Sequence, residues 1–395
     1  MEATVMVEAN KHPRFRQGLG VIGAAPHWVD AKGVMWAYEP YVREMRVWAD
    51  LFSTVEICGW PGEGAMYGNL ASYDRANIAW RSVPYTYAVG YRAAIKRLWQ
   101  LPGLIVHAYR TIKRNDIVLL RSPGHFGLVG AVLVRLMRKR SITKWAGENG
   151  AFKGERLPSR FERFLQGIPN DLHPMLVYGP PQRRHQLSFI PALMSKSELD
   201  VALESSRTRV WSPPWNLLAV GRLHPAKGFD LAIEGLAELH RIRPRLDWTF
   251  TLVGDGGEME TLRDRARRGG ISSRVRFPGA MPFSEVQKCY AGAHIVIMPG
   301  TKEGWPKIIA ESWAHGAVPV AAAAGLVPWI LSDSRSGVTF EPNATALAHA
   351  LSSLLEAPDT MKDMSRGLYA MARDLSLDAF KERLEAVLVD RCGLR

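Results

Sequence analysis

In the C-terminal half of this 395-residue chain, three turns gather cations, carboxylates and glycines at spacings that suit an anionic, hydroxyl-rich ligand. The first is VGRLHPAKG, residues 220–228, where Arg222 and Lys227 leave one loop five residues apart. Two such cations suit a diphosphate, each neutralising different oxygens, or else are solvated loop charges. The second is GDGG, residues 254–257, whose glycines either let backbone approach a ligand closely or form a plain β-turn. The third is PGTKEGWPKIIAESWAHG, residues 299–316. Pro306 suits the first turn of a helix and Gly316 its left-handed stop. The amides of residues 304–308, Pro306 excepted, then form an anion site at the helix N-terminus. Glu303 lies just before that site and Glu311 inside the helix, eight residues on. Two carboxylates flanking an anion site make sense if each accepts hydrogen bonds from sugar hydroxyls beside a phosphate. The plainer readings are a Lys307–Glu311 surface pair and a solvated Glu303 near the helix dipole.

These turns follow apolar segments that read as strands at 217–220, 248–253, 295–298 and 318–322, with helical patterns at 229–241, 258–268 and 306–315. A further strand is expected at 275–277. The N-terminal half alternates similarly, with strands at 19–24, 54–58, 116–120 and 142–145 and helices at 36–52 and 127–138. Strands separated by helical patterns predict parallel sheets with crossover helices, hence a doubly wound α/β unit in each half. The expected domains are 1–210 and 211–376, with a boundary in the polar stretch 195–214. A C-terminal helix at 377–395 is expected to pack back on the first domain. Ligands of such folds bind beyond the carboxyl ends of the strands, where these turns lie.

The charge is unevenly spread. The net charge is +13, and residues 75–147 alone hold 14 basic residues against one acid, Asp116. A field so localised invites an anionic partner: nucleic acid, a lipid surface or a phosphorylated substrate. Apolar residues at 47% and charged residues at 23% exclude a disordered chain. Cys58, Cys289 and Cys392 are isolated, with no metal-ligand spacing, which suits a reducing compartment. The first 17 residues lack a continuous apolar region, so no signal peptide is expected.

Taken in order, the motifs resemble the retaining GT-B glycosyltransferases called glycosyl transferases group 1, family 4-like. The resemblance rests on G-R-x-x-x-x-K-G at 221–228, V-G-D-G at 253–256 and R-V-R-F-x-G at 274–279. It continues with E-G-x-P-x(4)-E from Glu303 to Glu311 and A-V-P-V at 317–320, and covers residues 214–345. It implies an α/β, GT-B architecture: two doubly wound Rossmann-like domains facing a central cleft. The N-terminal one would bind the acceptor and the C-terminal one a nucleotide sugar. Arg222 and Lys227 would bind the donor diphosphate, and backbone at Gly304, Trp305, Pro306, Lys307 and Ile308 would hold phosphate and sugar oxygens. Glu303 would contact hydroxyls of the transferred sugar and Glu311 the ribose diol. Main chain near Ala280 and Met281 would face the base. Residues 19–52 are similar to the family's acceptor side, with Gly33 in the loop. Two segments depart from the pattern. Ala146, in WAGENG at 145–150, stands where the family commonly carries a His. His125, or Glu148 and Asn149, are candidates to serve instead, His125 otherwise capping a helix start. GLVPW at 325–329 lacks the second Gly and the Glu of the family's G-G-x-P-E.

The implied reaction is retaining sugar transfer with Glu303, Lys227 and Arg222 as its catalytic group. No D-x-D occurs in the chain, so no metal is expected, and the nucleotide-diphosphate sugar is a substrate with no resident cofactor beside it. The expected acceptor is a glycan or lipid-linked molecule of cell-surface polysaccharide, lipopolysaccharide or glycolipid assembly. Residues 91–114 interleave apolar positions at helical spacing with Arg92, Lys96, Arg97, Arg110, Lys113 and Arg114. Such a stretch lies on an anionic membrane surface or turns its apolar face inward. Pro102 and Gly103 argue against one unbroken helix. The expected location is cytoplasmic, peripheral on the inner face of the membrane. The alternatives are a GT-B nucleotide-sugar 2-epimerase and a nucleic-acid-binding protein using the basic stretch, though no recognisable nucleic-acid motif accompanies the charge.

Overall fold

The computed structural model describes residues 12–23, 25–63, 70–85, 91–146, 157–190, 194–302 and 304–395. The chain divides into two compact units, residues 1–190 with 381–395, and residues 191–380.

The first unit runs β1 (Phe15–Ile22), β2 (His27–Val29), β3 (Met35–Tyr38), α1 (Glu39–Leu51), β4 (Phe52–Gly59), β5 (Leu70–Ser72) and β6 (Ile78–Ser82). It continues with α2 (Tyr91–Arg114), β7 (Ile117–Ser122), α3 (His125–Leu136), β8 (Ser141–Trp145), α4 (Leu157–Gln166), β9 (Met175–Val177) and β10 (Gln186–Ser188). Its main sheet has the order β10-β9-β8-β7-β1-β4-β6, and all its pairings are parallel. β7 and β8 are buried along nearly their whole length, as strands covered on both faces must be. The steps β6→α2→β7, β7→α3→β8 and β8→α4→β9 all run toward the same edge. Right-handed crossovers therefore place α2, α3 and α4 in one layer on one face of the sheet, and α3 packs against both α2 and α4. α1 takes the opposite face. Strand order reverses between β1 and β7.

Two sequence expectations change here. The helix expected over 36–52 begins only at Glu39, because residues 35–38 pair antiparallel with β2 and β5 in a separate three-stranded sheet. Residues 91–114 form one helix with Pro102 inside it, where a break was expected.

The second unit runs α5 (Lys196–Arg207), β11 (Trp215–Val220), α6 (Phe229–Ile242), β12 (Trp248–Val253), α7 (Met259–Arg268), β13 (Val275–Gly279) and α8 (Phe283–Gly292). Then come β14 (Ile295–Met298), α9 (Lys307–Ala314), β15 (Val318–Ala322), α10 (Val327–Ile330), β16 (Val338–Phe340), α11 (Ala344–Leu355) and α12 (Pro358–Arg373). α13 (Leu377–Asp390) starts in this unit, and its residues from Lys381 belong to the first. There Glu385 pairs with Arg14, and Arg140 donates to the Cys392 carbonyl at 2.8 Å. The sheet order is β13-β12-β11-β14-β15-β16, all parallel. β14 and β15 have no exposed residue. The stretch read as a domain boundary, 195–214, holds a helix instead: α5 carries a Ser195/Glu198 capping box and packs on α8, α9 and α12. The division falls just before it, at Ile190.

Candidate active site

In the second unit, β11 through β13 are laid down toward one edge and β14 through β16 toward the other. The order thus reverses between β11 and β14, and a crevice opens beyond the carboxyl ends of those strands. The loops after β11, β12, β13 and β14 meet there; backbone hydrogen bonds join the first three, and the loop after β14 meets the first by close backbone approach. The Gly221 amide donates to the Val253 carbonyl (2.9 Å), Leu223 to Asp255 (2.8 Å) and Gly254 to Gly279 (2.9 Å). The spacing between these loops excludes side chains. A Cβ on Gly254, at φ +145°, would stand 1.8 Å from the Gly221 carbonyl oxygen. One on Gly228, at φ +65°, would stand 2.9 Å from that of Pro299. Gly254 and Gly256, where a Cβ would stand 2.2 Å from the Leu223 carbonyl oxygen, are therefore explained first by loop-to-loop packing; Gly257 is not.

That packing places Arg222, exposed, and Lys227, half-buried, in the loop after β11. His224 shapes the loop: its Nδ1 accepts from the Ala226 amide at 3.2 Å, starting a short turn of helix at Pro225–Lys227. Gly228 then opens α6. On the other side of the reversal, Gly304 and Trp305 lead into α9, with Pro306 at its N-cap and Lys307 and Ile308 in its first turn. Gly316 ends the helix region at φ +59°, the left-handed conformation its type suits. Ala280 is exposed and Met281 half-buried, directly after β13. Glu303, Glu148 and Asn149 lie outside the described residues.

Glu311 is no surface partner of Lys307 alone. It is half-buried on α9, and its Oε2 accepts a 2.7 Å hydrogen bond from the Tyr290 hydroxyl on α8. Burial raises its pKa above the ordinary carboxylate range, while the Tyr290 bond and the Lys307 charge work the other way. The Tyr290 ring stacks on His315 at 5.4 Å, and His315 Nδ1 lies 2.9 Å from the Glu311 carbonyl. Burial lowers the His315 pKa to about 4, so its ring is neutral at pH 7. Arg209 anchors both helices. It donates to the carbonyls of Tyr290, Ala291, His315 and Gly316 at 2.6–3.3 Å, satisfying the carboxyl ends of α8 and α9 together. Sequence reasoning missed Tyr290, His315 and Arg209. The His-Gly pair at the end of α9 was the one signal present; nothing local marks the other two.

After β15, Trp329 meets Trp305 edge to face at 6.5 Å. The segment that departs from the family pattern thus brings an aromatic side chain against the loop after β14.

In the first unit, Gly33 sits at φ +79° in the tight turn joining β2 and β3, where Asp30 accepts from the Lys32 and Val34 amides and the Trp36 indole. It is a turn glycine of a hairpin whose loop is held by Asp30. His125 is the first residue of α3, and its ring lies 5.9 Å from that of Tyr85. The N-cap residue before it, Gly124, donates its amide to Glu162 Oε2 at 2.9 Å, and burial pushes the Glu162 pKa up to about 7. The Ala146 amide donates to the Ser122 carbonyl at 2.7 Å, which sets Ala146 beside the turn leading to His125. On the opposite face of the sheet, Glu44 accepts from Arg121 (2.9 Å) and buried Lys144 (2.6 Å), leaving that cluster one positive charge in excess.

Residues 214–357 match the family model described as Glycosyl transferases group 1. A D-inositol 3-phosphate glycosyltransferase of Segniliparus rotundus is 32% identical over 170 residues, 42% of this chain and 38% of the relative. The aligned part spans less than half the length of the curated relatives it matches. Anabaena Alr3699/HepE, solved with UDP-glucose, has a TM-score of 0.68 at 16% identity, covering 94% of this chain and 99% of that one. WaaG, a glycosyltransferase involved in lipopolysaccharide biosynthesis, has a TM-score of 0.63 at 13% identity, covering 94% and 100%. The chain therefore has the GT-B fold of two Rossmann-like units, and its C-terminal unit carries the group 1 match.

Two stability measurements test this account of the site. Gly254→Ala should cost more than about 3 kcal/mol or prevent folding, since its Cβ meets backbone. Gly257→Ala, where a Cβ has nothing within 4 Å, should stay within about 0.5 kcal/mol by thermal denaturation. Arg209→Ala strips charged donors from the ends of two helices. It should cost about 3 kcal/mol, roughly 6–12 °C in the unit's melting temperature.

Proposed function

We propose that this chain is a retaining glycosyltransferase that moves a sugar from a nucleoside-diphosphate sugar to a hydroxyl of a glycan or lipid-linked acceptor. The observation that carries the reading is the joined set of loops at the strand-order reversal. It combines Arg222, Lys227 and the N-terminus of α9 with a carboxylate, Glu311, held by Tyr290. HepE, of the same fold, was solved with UDP-glucose, which supports a nucleotide sugar as donor.

Each group then has a task. As the donor C1–O bond breaks, the transition state acquires oxocarbenium character and negative charge grows on the leaving diphosphate. Arg222, Lys227 and the first amides of α9 stabilise that charge where it develops, in positions set before reaction. Glu303 accepts from hydroxyls of the transferred sugar. With Oε2 engaged by Tyr290, Glu311 presents Oε1 to the ribose diol, and main chain at Ala280 and Met281 borders the base. The acceptor hydroxyl attacks on the face the leaving group departs from, and the leaving phosphate takes its proton. The proposal includes no metal, in keeping with the lack of a D-x-D motif, and no resident cofactor. The basic N-terminal unit receives an acceptor that is anionic or embedded in an anionic surface, in cell-surface polysaccharide, lipopolysaccharide or glycolipid assembly at the cytoplasmic side of a membrane. WaaG acts in lipopolysaccharide biosynthesis and the Segniliparus relative is named for a phosphorylated inositol, which supports acceptors of this kind.

A thermal-shift screen of UDP-, GDP- and ADP-sugars should find one base that stabilises the protein, and the hit should be turned over with retained anomeric configuration by NMR. Lys227→Ala and Glu303→Ala should each lower kcat/KM by about 10²- to 10³-fold with an unchanged melting temperature. Full activity in both sinks the reading. Glu311→Gln should raise the donor KM by about tenfold or more, and Tyr290→Phe by less, since it only orients the carboxylate.

A further inference from the structure

The helix layer α2–α3–α4 of the first unit bears an apolar surface that the proposed activity does not use. Twelve of the eighteen large apolar side chains exposed among the described residues fall between residues 95 and 172. They are ordered. On α2, Leu104, Ala108 and Ile112 form the buried stripe, with no exposed surface. Ile95, Leu98, Trp99, Val106 and Tyr109 form a second stripe about 130° around the same helix, facing out. Leu98 is 70% and Trp99 82% exposed. Among the described residues of α2, none before Leu104 is buried, so its first half carries apolar side chains beyond the core. On α4, Glu162 and Gln166 face inward, whereas Leu157 (75%), Phe161 (53%) and Phe164 (68%) repeat at four and three residues along the outer face.

The charge beside these stripes has one sign. Arg92, Lys96, Arg110, Lys113 and Arg114 line α2 next to its outer apolar stripe, and exposed Arg160 sits within that of α4. The three helices contain a single acid, Glu162, which is buried. Apolar patches of this extent on a water-soluble surface mark interaction sites. Side-by-side apolar and basic stripes, with Trp and Phe at the apolar tips, match the boundary between acyl chains and anionic headgroups. A protein partner would need a matched acidic and apolar surface, whereas an anionic bilayer offers both chemistries at every point.

We propose that α2 and α4 together dock this unit on an anionic lipid bilayer, with Leu98 and Trp99 of α2 and Leu157, Phe161 and Phe164 of α4 inserting below the headgroups. The purpose of docking, access to a lipid-linked acceptor, rests on the proposed activity; the docking itself does not. α4 is a second contact absent from the 91–114 pattern and visible only once the helices are in place.

The test is co-sedimentation of the full chain, without donor, with phosphatidylcholine vesicles that do or do not contain phosphatidylglycerol. Binding is expected on anionic vesicles, weakened by salt. It should fall at least fivefold in Leu98→Glu/Trp99→Glu and, separately, in Phe161→Ser/Phe164→Ser, with melting temperatures unchanged, while Trp99→Phe retains it. Several outcomes overturn the proposal: no vesicle binding, equal binding to neutral vesicles, or binding unchanged in either pair. So does analytical ultracentrifugation in which the pairs instead dissolve a dimer, making the face a contact between copies. Donor hydrolysis measured in solution without vesicles is expected to survive in both pairs. Its absence from the unmodified protein would count against the transferase reading and leave docking standing.

Discussion

The site depends on backbone meeting backbone at the carboxyl edge of the second sheet. Gly254 lies so close to Gly221, and Gly228 to Pro299, that any side chain there would displace a loop. The loop bearing Arg222 and Lys227 is thereby tied on one side to the loop after β12 and on the other to the loop leading into α9. Two cations and a helix N-terminus, separated by some eighty residues of sequence, become parts of one rim. Side chains bridging the same distance would have their own torsional freedom, whereas backbone in direct contact with backbone has little.

A second constraint lies one layer out. α8 and α9 lie on the same face of the sheet because the steps β13→α8→β14 and β14→α9→β15 run in the same direction. That places Tyr290 within hydrogen-bond reach of Glu311, and Arg209 holds the carboxyl ends of both helices. The carboxylate is thus aimed by a hydroxyl whose own helix is pinned. Burial favours protonation of Glu311, and the phenol donor and nearby Lys307 oppose it. The same surroundings that desolvate the group therefore also help keep it an acceptor.

The two units divide the charge. Residues 75–147 carry the excess of basic residues, and the structure sorts these cations into different settings. Arg121 and Lys144 are turned inward onto Glu44 on one face of the sheet. Those of α2 lie outward on the other face beside an apolar stripe. The second group faces solvent without acidic neighbours on its helix, whereas the first is half offset in place by Glu44. The distinction bears on what approaches the unit: an extended anionic surface meets the outward cations and the apolar side chains at the same time.

The amino-acid sequence by itself determined the alternation of the central strands and helices and the contents of the loops that follow those strands. β12, β14 and β15 occupy the residues their apolar runs mark, and Arg222, Lys227 and Glu311 are legible because loop chemistry follows strand ends directly in the chain. Periodicity reports how often an apolar residue recurs, not what lies opposite it. Hence 36–38 read as helix until an antiparallel partner at 70–72 claimed them, and α2 read as having one apolar face where it has two. Tyr290 and Arg209 had no local signature for the same reason, and the spacing of Leu157, Phe161 and Phe164 marks an apolar face of α4 without saying that it stays in water. Their roles are relations between side chains distant in sequence, and crossover direction and packing, which tertiary structure alone decides, determine which of those meet and which stay in water.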